Sequence, residues 1–300
     1  MKKWSIFILI MIILTVSIIG LPDIMMRMNL FSKGAVLMDG KTGDILYSKN
    51  QNKTFYPASI TKVLTALIVV ENADLDDIVV VGDEIDILPA DSSLSGIEKG
   101  EEYSVYDLLM GLMLVSGNDA ANSLAVYTAR QMEDETLSAD DALDAFAKYM
   151  NTRAKELGAR NSHFINPHGY HSDGHYTTAY DMALIAREAI SHDEIIKIAS
   201  TDRYQVKGLN WTNTNYMVVQ GSTGYYEYAT GLKTGHTSIA KYCLITTAKK
   251  NDKELISVIL KSSSRGRWKD ARALMDYGFG DKKINIEKIK ILGEYMREKL

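Results

Sequence analysis

The chain has 300 residues, 46% of them hydrophobic, with 34 Lys and Arg against 38 Asp and Glu for a formal net charge of −4. That apolar content can bury a large core, and the near-balanced charge does not suit a nucleic-acid binder, which needs an excess of cations to neutralise phosphates. Cys243 is the single cysteine, which excludes an intramolecular disulfide; in a strand-like run it reads as a small buried hydrophobe.

Lys2 and Lys3 precede an apolar run from Trp4 to Leu21, the pattern of an export signal or a membrane anchor. The following Pro22-Asp23-Ile24-Met25-Met26-Arg27 offers no small-residue cleavage site, and the run approaches the ~20 residues of a spanning helix. Residues 1–28 are therefore expected to be retained as an N-terminal membrane anchor rather than cleaved as a signal. Positive charge ahead of the run places the amino terminus inside and the remainder outside.

Ala35 to Leu37 and Ile45 to Tyr47 read as two strands joined through Asp39-Gly40-Lys41-Thr42-Gly43-Asp44, where Gly and Asp supply turn geometry. Next comes Ser59-Ile60-Thr61-Lys62. Pro57-Ala58 is expected to start a helix there, and Val63, Leu64, Leu67, Ile68, Val69 and Val70 to bury it. Residues three apart on a helix share a face, so Lys62 can reach the Ser59 hydroxyl and, when uncharged, take its proton. A second copy, Ser238-Ile239-Ala240-Lys241, precedes the strand run Tyr242 to Ala248, where residues three apart point to opposite faces.

Ser116-Gly117-Asn118 falls between a helical pattern ending at Val115 and one beginning at Asp119, an exposed turn carrying a hydroxyl and an amide. Four of the six histidines, His163, His168, His171 and His175, share one polar segment with Asp173. Asn166-Pro167, Gly169 and Gly174 make that segment a loop without the spacing of a zinc site, so no metal or other cofactor is expected. Lys233-Thr234-Gly235 opens a later segment, and Gly235 would let a substrate backbone lie close to that edge. Ser48-Lys49-Asn50 and Lys41-Thr42-Gly43 repeat parts of these patterns inside the early hairpin, where turn chemistry explains them.

Tyr242 to Ala248 and Leu255 to Leu260 read as strands joined by a hairpin at Lys249-Lys250-Asn251-Asp252-Lys253. Early and late strands would then form one antiparallel sheet around a helical insert, a mixed α/β (α+β) fold. Only Asp281 to Leu300 follow Tyr277-Gly278-Phe279, a short C-terminal tail.

The order Ser59/Lys62, Ser116/Asn118, Lys233/Thr234/Gly235 is the three-motif set of penicillin-binding proteins and class A β-lactamases, with Gly117 in place of the middle Asp. The chain resembles the low-molecular-mass penicillin-binding proteins that are serine-type D-alanyl-D-alanine carboxypeptidases, a group that uses the Ser-Gly-Asn variant. The resemblance extends to the Asp39 to Asn50 hairpin, Asn166-Pro167-His168-Gly169, Thr177 to Ala183, Gly231 to Thr237 and Arg265-Gly266-Arg267-Trp268. It implies the β-lactamase/transpeptidase-like fold, with an antiparallel sheet flanked by helices and a helical subdomain, and a catalytic domain over residues 29–280. Many relatives add a β-rich domain and a carboxy-terminal amphipathic anchor; residues 281–300 are too short for either, which fits an anchor at the other end.

The resemblance implies that Ser59 attacks the penultimate carbonyl of a peptidoglycan stem peptide ending in D-Ala-D-Ala, expels D-alanine and is hydrolysed from the acyl-enzyme. Lys62 is the base, and burial beside the second cation Lys233 would lower its pKa. Ser116 passes the proton to the leaving amine, and Asn118 holds the substrate amide and orients Lys62. The backbone N–H groups of Ser59 and His236 form the oxyanion hole. A free terminal carboxylate calls for Thr234 and a guanidinium such as Arg267, whose alternative is a solvated charge near Arg265 and Asp270. The family also places a histidine loop beside the cleft, with His168 lining the substrate path. β-Lactams are expected inhibitors: the Glu-x-x-Leu-Asn pattern that class A β-lactamases use for deacylation is absent. A β-lactamase-like hydrolase and a catalytically silent peptidoglycan-binding protein are the competing readings.

Overall fold

A computed structural model describes residues 28–280. The expected N-terminal anchor over residues 1–28 lies, but for its last residue, outside the described residues, as does the tail over residues 281–300. Among the described residues no helix is long and apolar enough to cross a membrane.

Residues 31–280 belong to one compact unit. The early hairpin pairs β1 (Gly34–Asp39) with β2 (Ile45–Lys49), and Asp39 fixes its turn by accepting from the N–H groups of Lys41 and Thr42. A 3-10 turn, Ala58–Thr61, leads into α1 (Lys62–Asn72). A two-stranded ribbon, β3 (Ile78–Val80) with β4 (Glu102–Ser104), precedes α2 (Val105–Leu114), α3 (Asn118–Met132), α4 (Ala139–Glu156), α5 (Ala179–Ala189) and α6 (Asp193–Ser200).

Helices α2, α4 and α5 each begin at a Ser or Thr with Asp three residues on. The hydroxyls of Ser104, Ser138 and Thr178 accept from the N–H groups of Asp107, Asp141 and Asp181, so orphan amide donors of each first turn are satisfied within the sequence itself.

A second ribbon joins β5 (Arg203–Val206) to β6 (Leu209–Thr212). Its turn residues Lys207 and Gly208 both have positive φ, 46° and 82°, the geometry of a tight hairpin turn that suits strand twist. The chain then supplies β7 (Ala229–Thr237), β8 (Lys241–Lys250), β9 (Lys253–Ser262) and α7 (Gly266–Phe279).

The main sheet has the order β2-β1-β9-β8-β7, every neighbour antiparallel, which is the expected joining of early and late strands. Its central strands are buried on both faces, so Cys243 to Ala248 and Leu255 to Leu260 read as continuous rather than alternating apolar runs. Alternate residues still separate. Val36, Met38, Ile256 and Val258 join the large core shared with the helices, whereas Leu37 and Leu255 face α7, whose Gly278 packs directly on both.

Helix α1 runs through that core, packed against α2, α3, α4 and α5, with Lys62 to Val69 all buried. Strand β7 has a neighbour on one side only. At Gly235 the strand packs on the 3-10 turn that precedes α1, and this junction is where the motif residues meet.

Candidate active site

Ser59 and Lys62 lie on the junction between two helix types. The α-helix expected from Pro57-Ala58 begins only at Lys62, and Ser59 belongs to the 3-10 turn ahead of it. The change helps, because residues three apart eclipse in a 3-10 helix. Lys62 Nζ lies 3.2 Å from Ser59 Oγ, 2.7 Å from Asn118 Oδ1 and 2.9 Å from the carbonyl oxygen of His168. The side chain is fully buried. Burial first, then the charge of Lys233, holds its pKa well below the ordinary lysine value, with Asp119 opposing.

The second motif caps the space from the helical side. Ser116 carries the chain between α2 and α3 at a positive φ of 65°, and Asn118 is the first residue of α3. The carbonyl of Ser93 accepts from the Asn118 N–H at 2.7 Å, tying the loop before β4 to the site. Gly117 has an ordinary φ of −56°, so space rather than conformation selects glycine. A Cβ there would lie 2.5 Å from Asp119 Oδ1 and 2.7 Å from Ser95 Cβ. Asp119 occupies that space because its carboxylate accepts from the N–H groups of Ser95, Gly96 and Ala120 and from the Ser95 hydroxyl.

The third motif lies on β7. Lys233 is fully buried, and burial followed by the Arg267 charge brings its pKa down to about 7. Thr234 Oγ1 is 3.0 Å from Thr214 Oγ1, which donates to the Leu114 carbonyl. Gly235 lines the smaller cavity, and the lack of a side chain there has a second use. A Cβ at that position would stand 3.0 Å from the backbone of Pro57, Ser59 and Ile60, so glycine lets the strand press against the turn that carries Ser59. His236 is exposed, and its ring stacks on Tyr242 with centroids 4.2 Å apart.

Arg267 is not a solvated charge beside Asp270. Its guanidinium carbon lies 4.8 Å from the Tyr242 ring centre and 4.4 Å from that of Trp268, and Trp268 stacks in turn on Tyr216. Asp270 instead accepts from the N–H groups of Phe31 and Ser32.

Two cavities open on either side of Ser59 and His236. One, about 310 Å³, is lined by Ser116, Thr214, Thr234 and Arg267; the other, about 430 Å³, by Asn118, Tyr170, His171 and Ile239. Among the described residues, Ser116 Oγ, Lys233 Nζ and Arg267 Nε are buried without a hydrogen-bond partner. Each such group costs about 1–3 kcal/mol, and two of the three, Ser116 and Arg267, line the smaller cavity, which suits it to a polar ligand.

His168 does not line either cavity. Its ring is buried and its contribution is the carbonyl facing Lys62. Nor do the four histidines gather around one point: the His163 ring meets the Gly174 carbonyl and the His175 ring meets Thr61. Glu71, Glu188 and His192 bring donor atoms within 4.8 Å of one another, but the Arg153 guanidinium donates to both acids. Asp119, Thr214, Tyr216 and Trp268 were not foreseen. Only Trp268 had a local signal, its place beside Arg267.

A hydroxyl beside a buried amine, with a second buried amine on the strand at the sheet edge, is the arrangement that serine–lysine acyl transfer requires. The chain belongs to the D-alanyl-D-alanine carboxypeptidase family, whose model matches residues 24–264. It is 35% identical over 258 residues to D-alanyl-D-alanine carboxypeptidase DacF of Bacillus subtilis, covering 83% of this chain and 62% of that protein. It is likewise 35% identical over 257 residues to DacD of Escherichia coli, again with 62% of the relative covered. The chain thus spans about three-fifths of these curated relatives. The crystal structure of the Streptomyces K15 DD-transpeptidase superposes with a TM-score of 0.78 at 31% identity, covering 85% of this chain and 99% of that one. Ampicillin-bound penicillin-binding protein D2 of Listeria monocytogenes superposes with a TM-score of 0.71 at 29% identity, covering 84% and 99%. The expected β-lactamase/transpeptidase-like fold is the fold observed.

Because the space beside Gly117 is already filled, Gly117→Asp should lower stability by about 1–3 kcal/mol and slow labelling by a fluorescent penicillin. Urea unfolding and a labelling time course check both; wild-type behaviour in the two assays would show that the Ser95–Asp119 packing yields easily.

Proposed function

We propose that this protein is a serine-type D-Ala-D-Ala carboxypeptidase that removes the terminal D-alanine from peptidoglycan stem peptides through an acyl-enzyme on Ser59. One observation carries the reading: the buried Lys62 amine is bonded to two carbonyl oxygens and the Ser59 hydroxyl. A neutral amine has two N–H donors and one lone pair. Asn118 Oδ1 and the His168 carbonyl take the donors, which leaves the lone pair for the Ser59 proton.

The peptide's terminal carboxylate binds in the 310 Å³ cavity, to Arg267 and Thr234 with Lys233 behind them, and the acyl-donor side occupies the 430 Å³ cavity. Ser59 Oγ bonds to the penultimate carbonyl carbon, its proton passing to Lys62. The developing oxyanion is received by the N–H groups of Ser59 and His236. Ser116 relays a proton to the departing amine of D-alanine, and water then cleaves the ester. Asn118 holds the donor amide as well as Lys62. β-Lactams acylate the same serine and leave slowly: Asp91 is the one carboxylate lining either cavity, and it is engaged by the Tyr170 hydroxyl. Residues 1–28 keep the enzyme at the extracytoplasmic face of the membrane. The matched family and the ampicillin-bound neighbour support the carboxypeptidase and β-lactam parts of this reading; the anchor rests on the apolar run behind Lys2 and Lys3.

Incubation with a peptide ending in D-Ala-D-Ala should release D-alanine, and Ser59→Ala should abolish both release and penicillin labelling. Labelling without release would leave a penicillin binder that is no carboxypeptidase, and rapid turnover of benzylpenicillin would favour the β-lactamase reading.

Only neutral Lys62 accepts the proton, so acylation should fall as pH drops through its depressed pKa. Lys233→Met removes a cation that lowers that pKa; Lys62 then keeps its proton to higher pH, and the acid limb of acylation at saturating β-lactam should move upward. A limb that stays or moves down assigns the base elsewhere.

Mass spectrometry of membrane-extracted protein should find the N-terminal segment intact. A mature chain beginning near Asn29 would rule out the anchor.

A further inference from the structure

The loop carrying four histidines wraps the nucleophile's turn, and His175 reaches it through a chain of bonds with a single direction. The Ile165 N–H donates to His175 Nδ1 at 3.2 Å, which requires the ring proton on Nε2. His175 Nε2 lies 2.9 Å from Thr61 Oγ1, so its N–H donates there. The Thr61 hydroxyl has one proton, and it donates that to the Ala58 carbonyl at 2.9 Å. Every donor in the chain is matched to one acceptor.

The end of this chain is the residue before Ser59. Ala58 has a φ of 52°, a left-handed conformation that disfavours any side chain by about 1–2 kcal/mol, and such a residue persists only where its surroundings hold it. Two further features hold this one. Gly169 packs so closely that a Cβ there would lie 2.0 Å from the Ala58 carbonyl oxygen, and the Phe164 ring meets His175 edge-on, with centroids 5.5 Å apart.

We infer that His175 is a positioning residue for the nucleophile: through Thr61 it fixes the Ala58 carbonyl and the left-handed turn that aims Ser59 Oγ at Lys62. Burial, then the neighbouring His163 and His171, hold its pKa down to about 3, so the wiring persists across ordinary working pH. The inference rests on Ser59 as nucleophile, which the Ser59→Ala comparison tests separately.

In the full chain, His175→Phe keeps a ring but removes donor and acceptor, whereas His175→Gln supplies one of each and cannot be charged. The acylation rate at saturating fluorescent penicillin, the affinity of the non-covalent complex and the unfolding midpoint are read together. His175→Phe should slow acylation roughly 10- to 100-fold with the non-covalent affinity little changed, and His175→Gln should restore most of the rate. Thr61→Val should reproduce the loss, and the double variant should lose no more than either single one. Overturning results are full-rate acylation by Thr61→Val, additive losses in the double variant, or a folded His175→Gln as slow as His175→Phe. Should His175→Phe fail to fold, Thr61→Val and His175→Gln still decide.

Discussion

The amine of Lys62 has three oxygen neighbours, and the character of those three governs the site. Two are carbonyls that can only accept; the third is a hydroxyl that can do either. An ammonium would donate to all three, and a neutral amine donates to two while accepting from Ser59. Passing a proton from Ser59 to Lys62 therefore breaks neither carbonyl contact. Preorganisation of this kind is what a low-dielectric site needs, because nothing has to turn at the moment of reaction. Burial makes the neutral state accessible, and the Lys233 charge adds to the effect.

Bringing those neighbours together requires three distant segments to close on one turn, and each does so through a glycine. Gly235 presses β7 onto Ser59, Gly169 brings the histidine loop against Ala58, and Gly117 leaves room for the Ser95–Asp119 knot that holds the start of α3. Of these, only Gly169 also needs its positive φ of 80°. In the other two, the missing side chain matters because its place is already taken, by the backbone of Pro57, Ser59 and Ile60 at Gly235 and by the Asp119 carboxylate and Ser95 at Gly117. The motif glycines are contact points between segments.

Much of this was legible in the sequence because its signals are local. Short apolar runs and turn residues mark the early hairpin, longer apolar runs mark β8 and β9, and Ser-x-x-Lys followed by an apolar helix marks the Ser59–Lys62 pair. The junction itself was not legible. Nothing in Pro57-Ala58 distinguishes a 3-10 turn with a left-handed Ala58 from the first turn of an α-helix, since Gly169 and, through Thr61, His175 decide the matter from more than a hundred residues away. His168 misled for the same reason: its ring drew notice, while it is its carbonyl that meets Lys62. The ribbon of β5 and β6 did have a local signal, Lys207-Gly208 between alternating residues, that went unread.

In the proposed reaction the carboxylate anchor stands apart from the base, and charge within the cleft gives a reason. The cavity side holds Lys233 and Arg267 in a chain whose net charge is −4, and an anion bound directly against Lys233 would cancel the field that helps keep Lys62 neutral. Arg267 lowers the pKa of Lys233, and Lys233 lowers that of Lys62. A substrate carboxylate held by Arg267, between Tyr242 and Trp268, is thus felt by the base only at second hand. In the proposed reaction this separation lets binding be strong without protonating the group that must accept a proton. It also gives a reason for spending an unpartnered, fully buried lysine between the two: Lys233 links an anion-binding edge to the base while its own pKa, brought to about 7, keeps its charge responsive to what binds.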